Sequence, residues 1–420
     1  MISNWFLSRT ARNAVALCKH IRKILDHQRD ILPANGIEEI ENALRETRRM
    51  ISSRADKTAL EAQMESLEKT ANKWIKPYPN AAWRENIEVL LVALTIAMGV
   101  RTFFIQPFKI PTGSMQPTLY GVTSEPDFSR VTTQEQADEQ AKLEKDLVIP
   151  TGWERIKNWF HGTSYVHVVA KEDGQLEGIE PPVHFLIFGI YQRIHFADKV
   201  YTIWFPPDYG APPAGTLAMR AGLRAGQFFR KGDDIVKIAV NAGDHLFVDR
   251  LTYNFRPPER GEIVVFKTQG IKNLGEDQQG TFYIKRLVGL GGETLKLHHD
   301  YDVTGVPVLR GTATIPVGNL VVDGKPITAS TPHFKDVYSF YGAKPDSLQI
   351  PYVENHYYGH AMVKALSEGE EFYVETNQFF VMGDNTMNSS DSRYWGSFPQ
   401  KLVVGKELFV YWPITKRFGF

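Results

Sequence analysis

Apolar and polar positions change rhythm along the chain. Over roughly the first 76 residues, apolar side chains recur at helical spacing with charge on most faces, which predicts two or three helices. A "PANG" turn (Pro33 to Gly36) and the "KPYPN" break (Lys76 to Asn80) punctuate them. The region reads as a helical hairpin or short coiled coil, with a helix lying on a membrane surface as the alternative. The opening stretch "MISNWFLSRTARNAVALCKHIRKILDHQRDIL" mixes basic and apolar residues. It has no continuous apolar core and no small-residue cleavage site, so it is not read as a cleaved leader.

The rhythm is then lost in "RENIEVLLVALTIAMGVRTFFIQPF", Arg84 to Phe108. Its uncharged run, Val89 to Val100, is short for a spanning helix, which takes about 20 residues. If Arg101 snorkels, Val89 to Phe108 supplies that length, about 30 Å at 1.5 Å per residue. A buried core helix and a membrane anchor, placed at 86–107, both fit. For an anchor, Lys69, Lys73, Lys76 and Arg84 outnumber Arg101 and Lys109, which puts the N-terminus in the cytoplasm and the rest outside.

Beyond Gly121 the pattern becomes short alternating runs separated by Gly and Pro, the signature of a β-rich domain. One charged helix, "TQEQADEQAKLEKDL" (Thr133 to Leu147), and an aromatic segment, "GWERIKNWFHG", interrupt it. "APPAGTLAMRAGLRAG" (Ala211 to Gly226) reads as loop. From Asp233 the strands are regular: "DDIVKIAV", "DHLFVDRLTYNF", "GEIVVFKT", "TFYIKRLVGL", "ETLKLHH", "NLVVDGKPI", "EFYVETNQFFVMGDN" and "LFVYWPI".

Composition narrows the classes. The 420 residues suffice for one large domain with insertions or for two to three smaller ones. With 48 basic and 48 acidic residues, nothing points to a nucleic-acid partner. A 43% apolar and 12% aromatic content supports a sizeable core. The single cysteine, Cys18, excludes an intramolecular disulfide framework and any zinc site built from several cysteines.

Candidate chemistry begins at "FKIPTGSMQPTLYG". Ser114 sits between Pro111 and Pro117, where proline excludes helix and pushes the preceding residue to extended backbone. A turn with local bonds from Thr112 and Ser114 is one reading. A nucleophile on a stiff loop is the other, and it needs a base. Lys285, within "TFYIKRLVGLGGE", is flanked by Phe282, Tyr283, Ile284, Leu287 and Val288. Burial there would lower its basicity into the working range, although its ammonium group can equally reach solvent. The segment "FVMGDNTMNSSDSRYWG" gathers Asp384, Asn385, Asn388, Ser389, Ser390, Asp391, Ser392 and Arg393. It reads either as a turn with a surface Asp391–Arg393 pair or as a polar shell around a buried amine. His356 and His360, with Glu354, have superficial zinc spacing, but Gly359 and two tyrosines disfavour the helix such a site wants. "LHHD" is a weaker metal candidate. A Ser-His-Asp arrangement through His245 in "GDHLFVD" is the rival, without the G-x-S-x-G elbow.

Four segments in order resemble the type I signal peptidases, membrane-anchored serine proteases with a Ser-Lys dyad: an apolar anchor running into "FKIPTGSMQPTL", then "GDHLFVDRLTYNFRPPERGEIVVFK", "YIKRLVGLGGE" and "VMGDNTMNSSDSRYWG". The resemblance covers Ile87 to Gly121, Gly243 to Glu293, and the chain from about Asn319 onward with gaps. It implies Ser114 as nucleophile and Lys285 as general base, with the Ser114 N–H and the Thr112 hydroxyl meeting the oxyanion. It further implies Ser389 bonded to the lysine amine, Asp384 paired with Arg286, and Asp391 and Arg393 in support. Phe108, Ile110, Met115, Leu119 and Ile284 match positions lining shallow apolar pockets for an Ala-x-Ala pattern.

The implied architecture is a mainly β catalytic core (243–420) joined to the serine segment (108–121), with a helical cytoplasmic region (1–80) and one transmembrane anchor in front. Two departures stand out. Gly291-Gly292-Glu293 replaces a proline-glycine turn of many relatives. Residues 122–242 and about 329–376 are additions, read as a β-rich cap beside the core. The implied activity is cleavage of signal peptides from exported preproteins at the cytoplasmic membrane, with no metal or nucleotide. Lipid and the export machinery are the expected neighbours, with Phe103, Phe104 and Phe108 facing the lipid. Two rivals remain: a Ser-Lys autoprotease of the SOS-repressor kind, and a catalytically silent, membrane-tethered binding module.

Overall fold

The computed structural model describes residues 9–75, 81–131, 133–185, 188–211, 215–308, 311–338, 348–353 and 359–419. The chain divides into two compact units, Met1–Ile96 and Ala97–Phe420.

The first unit contains helices α1 (Arg9–Gln28), α2 (Ala34–Ser52) and α3 (Lys57–Trp74). Pro33 is the residue before α2, so "PANG" opens a helix as well as closing a turn. The Asp56 carboxylate accepts the Thr58 N–H and caps α3. Leu25, Ile40, Leu44 and Leu67 are fully buried among these helices, with Cys18 and Ala71 beside them. Three helices with a core of their own replace the expected hairpin or coiled coil, because each carries an apolar stripe that only mutual packing removes from water.

Helix α4 (Ala81–Phe103) is different: Val89, Leu90, Leu91, Val92 and Ile96 are all exposed. Its Trp83–Phe103 stretch, 21 residues of mean hydropathy 1.6 with none buried, is long and apolar enough to cross a membrane by length and composition. The 86–107 boundary needs correction. The helix ends at Phe103, and Ile105–Lys109 is a strand. Pro107 lacks the N–H a helix interior needs and forces Gln106 towards extended backbone.

In the second unit a seven-stranded antiparallel sheet runs in the order Ile105–Lys109, His245–Asp249, Val403–Trp412, Ile263–Lys267, Phe282–Leu290, Gln378–Met382, Phe398–Pro399. Strand Ile105–Lys109 forms one edge, in register Lys109 to His245 and Ile105 to Asp249. Lys285 lies opposite Val264 in the interior. One side of this sheet buries Val264, Phe266, Leu287, Phe379, Val381 and Phe398.

Residues 122–240 build a separate core from Leu176, Ile194, Phe196, Leu217, Val236 and Ile238. Helix α5 (Gln134–Asp146) carries a full capping box, Thr133 with Gln136. The aromatic segment is helix α6 (Gly152–Phe160). "APPAGTLAMRAGLRAG" is not all loop: Leu217–Arg220 makes a helical turn capped by Thr216. Leu217 is fully buried, and Arg220 points inward to the Tyr209 and Val122 carbonyls and the Asp127 carboxylate. Within 329–376, Phe334, Val337, Met362, Leu366 and Val374 pack on Val288, Leu295, Phe380 and Met382 of the core.

Candidate active site

The strand Ile105–Lys109 delivers the chain to Thr112, which is extended (φ −124°, ψ 155°), and one 3-10 turn, Gly113–Met115, then presents Ser114. Met115 and Leu119 are fully buried with Ile110, Leu246, Val265 and Val410, so the residues around the serine are the loop's apolar anchors. Asp244, fully buried, fastens both ends of the loop. Its carbonyl accepts the Ile110 N–H at 2.9 Å, and its carboxylate accepts the Tyr120 N–H at 2.7 Å and the Arg417 guanidinium. Asn385 holds the middle, its N–H on the Ser114 carbonyl at 3.1 Å and its side-chain amide on the Gly113 carbonyl at 2.9 Å.

Lys285 Nζ lies 2.7 Å from Ser114 Oγ and 3.0 Å from the Ile284 carbonyl. The lysine is 5% exposed. Burial pushes its pKa down to about 8. The Asp391 and Asp384 carboxylates pull it back up, and Arg393 pushes it further down. Residues remote in sequence thus place a hydroxyl against a desolvated amine.

Around them Arg286 grips Asp384 bidentately, Nε to Oδ1 at 2.7 Å and Nη2 to Oδ2 at 2.5 Å, with Nη1 on the Gly261 carbonyl. Thr118 Oγ1 donates to the same Asp384 carboxylate at 2.5 Å. Asp391 and Arg393, readable as a surface pair or as part of a polar shell, are buried, at 0% and 1% exposure. They can be so because each polar atom finds a partner: Arg393 also donates to the Ala361 and Thr386 carbonyls, and Asp391 accepts the Gly383 N–H. Burial alone would raise the Asp391 carboxyl, but the Arg393 charge and its bonds hold it below the usual carboxylate range.

Other expected residues land differently. Ser389 is buried beside the dyad, yet among the described residues its hydroxyl has no hydrogen-bond partner, so the implied bond to Lys285 is not made. The hydroxyl is packed against Gly383, where an added Cβ would lie 2.1 Å from it. Of the pocket residues, Ile110, Met115 and Leu119 are core, while Phe108 and Ile284 keep partial exposure. The Phe108 ring meets Phe282 edge-on at 5.2 Å. Phe103 and Phe104 are exposed, and so is Thr112.

His245 is no base for Ser114: its Nδ1 is on the Gly243 carbonyl, and its ring stacks edge-on with Trp412. His360 is enclosed between Tyr338 and Gly383 rather than open to a metal, while Glu354 and His356 lie outside the described residues. His298 and His299 form surface pairs with Asp300, Asp302 and Glu368. Glu293 staples its own turn by accepting the Leu290 N–H and pairing with Arg260.

Asp244 and Arg417 were not singled out by sequence reading, and Asn385 was named in the polar segment without a role on the serine loop. Asp244 did carry a signal, since with Gly243 it directly precedes a regular strand; in the structure a Cβ on that glycine would collide with the Ile110 carbonyl.

A family model described as "Signal peptidase, peptidase S26" matches residues 83–131 and 235–412, more than half of the chain. The chain belongs to the peptidase S26 signal peptidase family. The match passes over 132–234, so most of the 122–242 region lies outside it, whereas 329–376 falls within the second matched stretch.

Among relatives, a probable signal peptidase I-1 of Synechocystis sp. is 27% identical over 177 residues, 42% of this chain and 66% of that protein. A signal peptidase I of Leptolyngbya laminosa is 28% identical over 201 residues, 48% of this chain and 74% of that one. A solved signal peptidase I from Enterococcus faecalis is 22% identical, covering 36% of this chain and 97% of that one, with a TM-score of 0.21.

Proposed function

We propose that this chain is a type I signal peptidase that cuts exported preproteins after Ala-x-Ala-like sites through a Ser-Lys dyad. The observation that carries the reading is the 2.7 Å contact between Ser114 Oγ and the buried Lys285 Nζ. Neutral Lys285 takes the Ser114 proton as Oγ attacks the scissile carbonyl carbon. The oxyanion is met by the Ser114 N–H and the Thr112 hydroxyl, and losing one such donor costs about 3–4 kcal/mol. The Lys285 ammonium group then protonates the leaving amine as the C–N bond breaks, leaving an acyl-enzyme on Ser114. Lys285 next deprotonates a water that hydrolyses the ester and frees the signal peptide.

Arg286–Asp384 and Asp391–Arg393 keep the dyad's surroundings fixed, with Ser389 beside the amine. Phe108 and Ile284 face the small residues of the substrate, on a wall backed by Ile110, Met115 and Leu119. Helix α4 crosses the cytoplasmic membrane with the first unit in the cytoplasm. The β-rich unit works at the outer face, where preproteins emerge from the export machinery and Phe103 and Phe104 meet lipid. Residues 122–242 form an inserted lobe that shapes access to the site.

The test is cleavage of a preprotein with an Ala-x-Ala site by detergent-solubilised wild type, Ser114→Ala and Lys285→Ala. Cutting after the second alanine by wild type alone supports the dyad. A dead Ser114→Ala with an active Lys285→Ala removes the base. No cutting by any of the three, with normal processing of an exported reporter in a host lacking the protein, sinks the enzyme reading.

A further inference from the structure

The residues between the dyad and its polar support have one element in common, the peptide of Gly383. Its N–H donates to Asp391 Oδ2 at 3.0 Å, and its carbonyl faces His360 Nε2 at 3.3 Å. On the Cα side an added Cβ would sit 2.1 Å from Ser389 Oγ and 2.4 Å from the Ser114 carbonyl oxygen, so only glycine permits the approach. Directly after it come Asp384, clasping Arg286 beside Lys285, and Asn385, bonded to the Ser114 carbonyl.

The tautomer of His360 follows from its two neighbours. A ring nitrogen facing a carbonyl oxygen must carry a proton, so Nε2 is the N–H. In a neutral ring Nδ1 must then accept. Tyr338, whose hydroxyl lies 3.0 Å from Nδ1, accepts the Leu320 N–H at 3.1 Å and so has its own proton to give. Neutrality is enforced by burial and by the Arg393 charge, which together push the His360 pKa down to about 3. The chain Leu320 N–H, Tyr338 OH, His360 and Gly383 C=O therefore has a single polarity at any working pH.

We propose that His360, oriented by Tyr338, is a positioning residue for the Ser114–Lys285 pair, acting by fixing the Gly383 peptide from which Asp384, Asn385 and Ser389 are registered. The role rests on the dyad reading and assigns part of the 329–376 segment to the reaction. It differs from the metal role suggested by the His356/His360 spacing, because both His360 nitrogens are engaged.

The test compares wild type, His360→Leu, His360→Gln and Tyr338→Phe on the Ala-x-Ala preprotein, reading kcat and KM separately, with thermal unfolding alongside. Misplacement on the order of an ångström costs about 10²-fold, so His360→Leu is expected to lose that much kcat with KM little changed. His360→Gln, whose side-chain amide replaces the Nε2–H donor, is expected to recover most of it while matching the leucine variant in Tm. Wild-type kcat in His360→Leu overturns the role, as does a glutamine variant no better than leucine at equal Tm. Should the leucine variant not fold, Tyr338→Phe decides. Loss of the hydroxyl leaves Nδ1 without its donor and the ring free to turn away from the Gly383 carbonyl, so kcat should fall with KM little changed; an unchanged kcat overturns the role. An active Ser114→Ala removes the dyad reading and this role with it, whereas an inactive Ser114→Ala beside a fully active His360→Leu removes only the role.

Discussion

The lobe of residues 122–242 and the segment 329–376 both lie outside the seven-stranded sheet, yet they meet the candidate site in opposite ways. The lobe closes its own core and meets the approach to the serine at its edge: Asp208 pairs with Lys109, and Gly210 lies against the Pro111 carbonyl. The segment instead shares the core of the sheet through Phe334, Met362 and Leu366. It also reaches the polar loop directly, with His360 on the Gly383 carbonyl, the Ala361 N–H on the Thr386 carbonyl, and the Ala361 carbonyl on Arg393. A region with its own core can shape what arrives at a site, whereas one wired into the supporting hydrogen bonds sets the geometry of the reacting atoms.

The contrast is tested most severely by removing one buried arginine that the 329–376 segment bonds through Ala361, and one within the lobe. Arg393→Met strands the fully buried Asp391 and several carbonyls, and breaking such a pair from one side costs about 3–5 kcal/mol. Denaturant unfolding should show that loss, and cleavage should fall with it even where the protein remains folded. Arg220→Met in the lobe takes the ion-pair partner from Asp127, which keeps its bonds from Ser129, and the guanidinium donors from the Val122 and Tyr209 carbonyls. With Asp127 partly solvated, about 2 kcal/mol is expected, and kcat should be nearly unchanged. Equal losses of kcat in the two variants would erase the distinction between the regions.

A sharper reading comes from pH. Lys285 is pushed from an ordinary value near 10.5 to about 8 by burial. Cleavage should therefore rise with pH through about 8 as the amine becomes neutral. Stability has the same sign. An unfolded chain binds this proton up to about 10.5, the folded one only below about 8, so the folded state loses stability as pH falls through that window. The full effect is about 3 kcal/mol at 1.36 kcal/mol per pKa unit. The stability difference between Lys285→Met and wild type isolates it: the variant should gain below pH 8 and the gain should vanish above 10.5. A flat difference across that range would mean the amine is solvated and not a poised base.

How much of this was legible in the sequence follows from which interactions are local. Helix α5 could be read because its capping box lies within four residues. Ser114 and Lys285 could be named because their flanking stretches resemble a family motif. The burial of Asp391 and Arg393 stayed one of two readings, since two charges in a run of serines and asparagines also look like a surface turn, and the carbonyls that satisfy Arg393 include Ala361, far upstream. His360 misled for a related reason: its spacing from His356 suggested ligands, while its actual partners, Tyr338 and Gly383, lie 22 and 23 residues away. The end of α4 was available and overlooked, because Pro107 already forbids a helix through it.

The mildest prediction bears on a charged hold of the lobe on the serine approach. Asp208, 52% exposed, pairs with the less exposed Lys109 at the end of the edge strand, five residues before Ser114. Exposed pairs contribute under about 1 kcal/mol, so Asp208→Asn should shift Tm only slightly. Its catalytic effect should fall on KM rather than kcat, because the pair stands where a substrate chain approaches and not where its carbonyl reacts. Cleavage kinetics at low and high salt give the check: screening weakens the wild-type pair, so the difference in KM between wild type and variant should shrink as ionic strength rises. A kcat effect that persists in high salt would place the lobe inside the catalytic geometry and bring it level with the 329–376 segment.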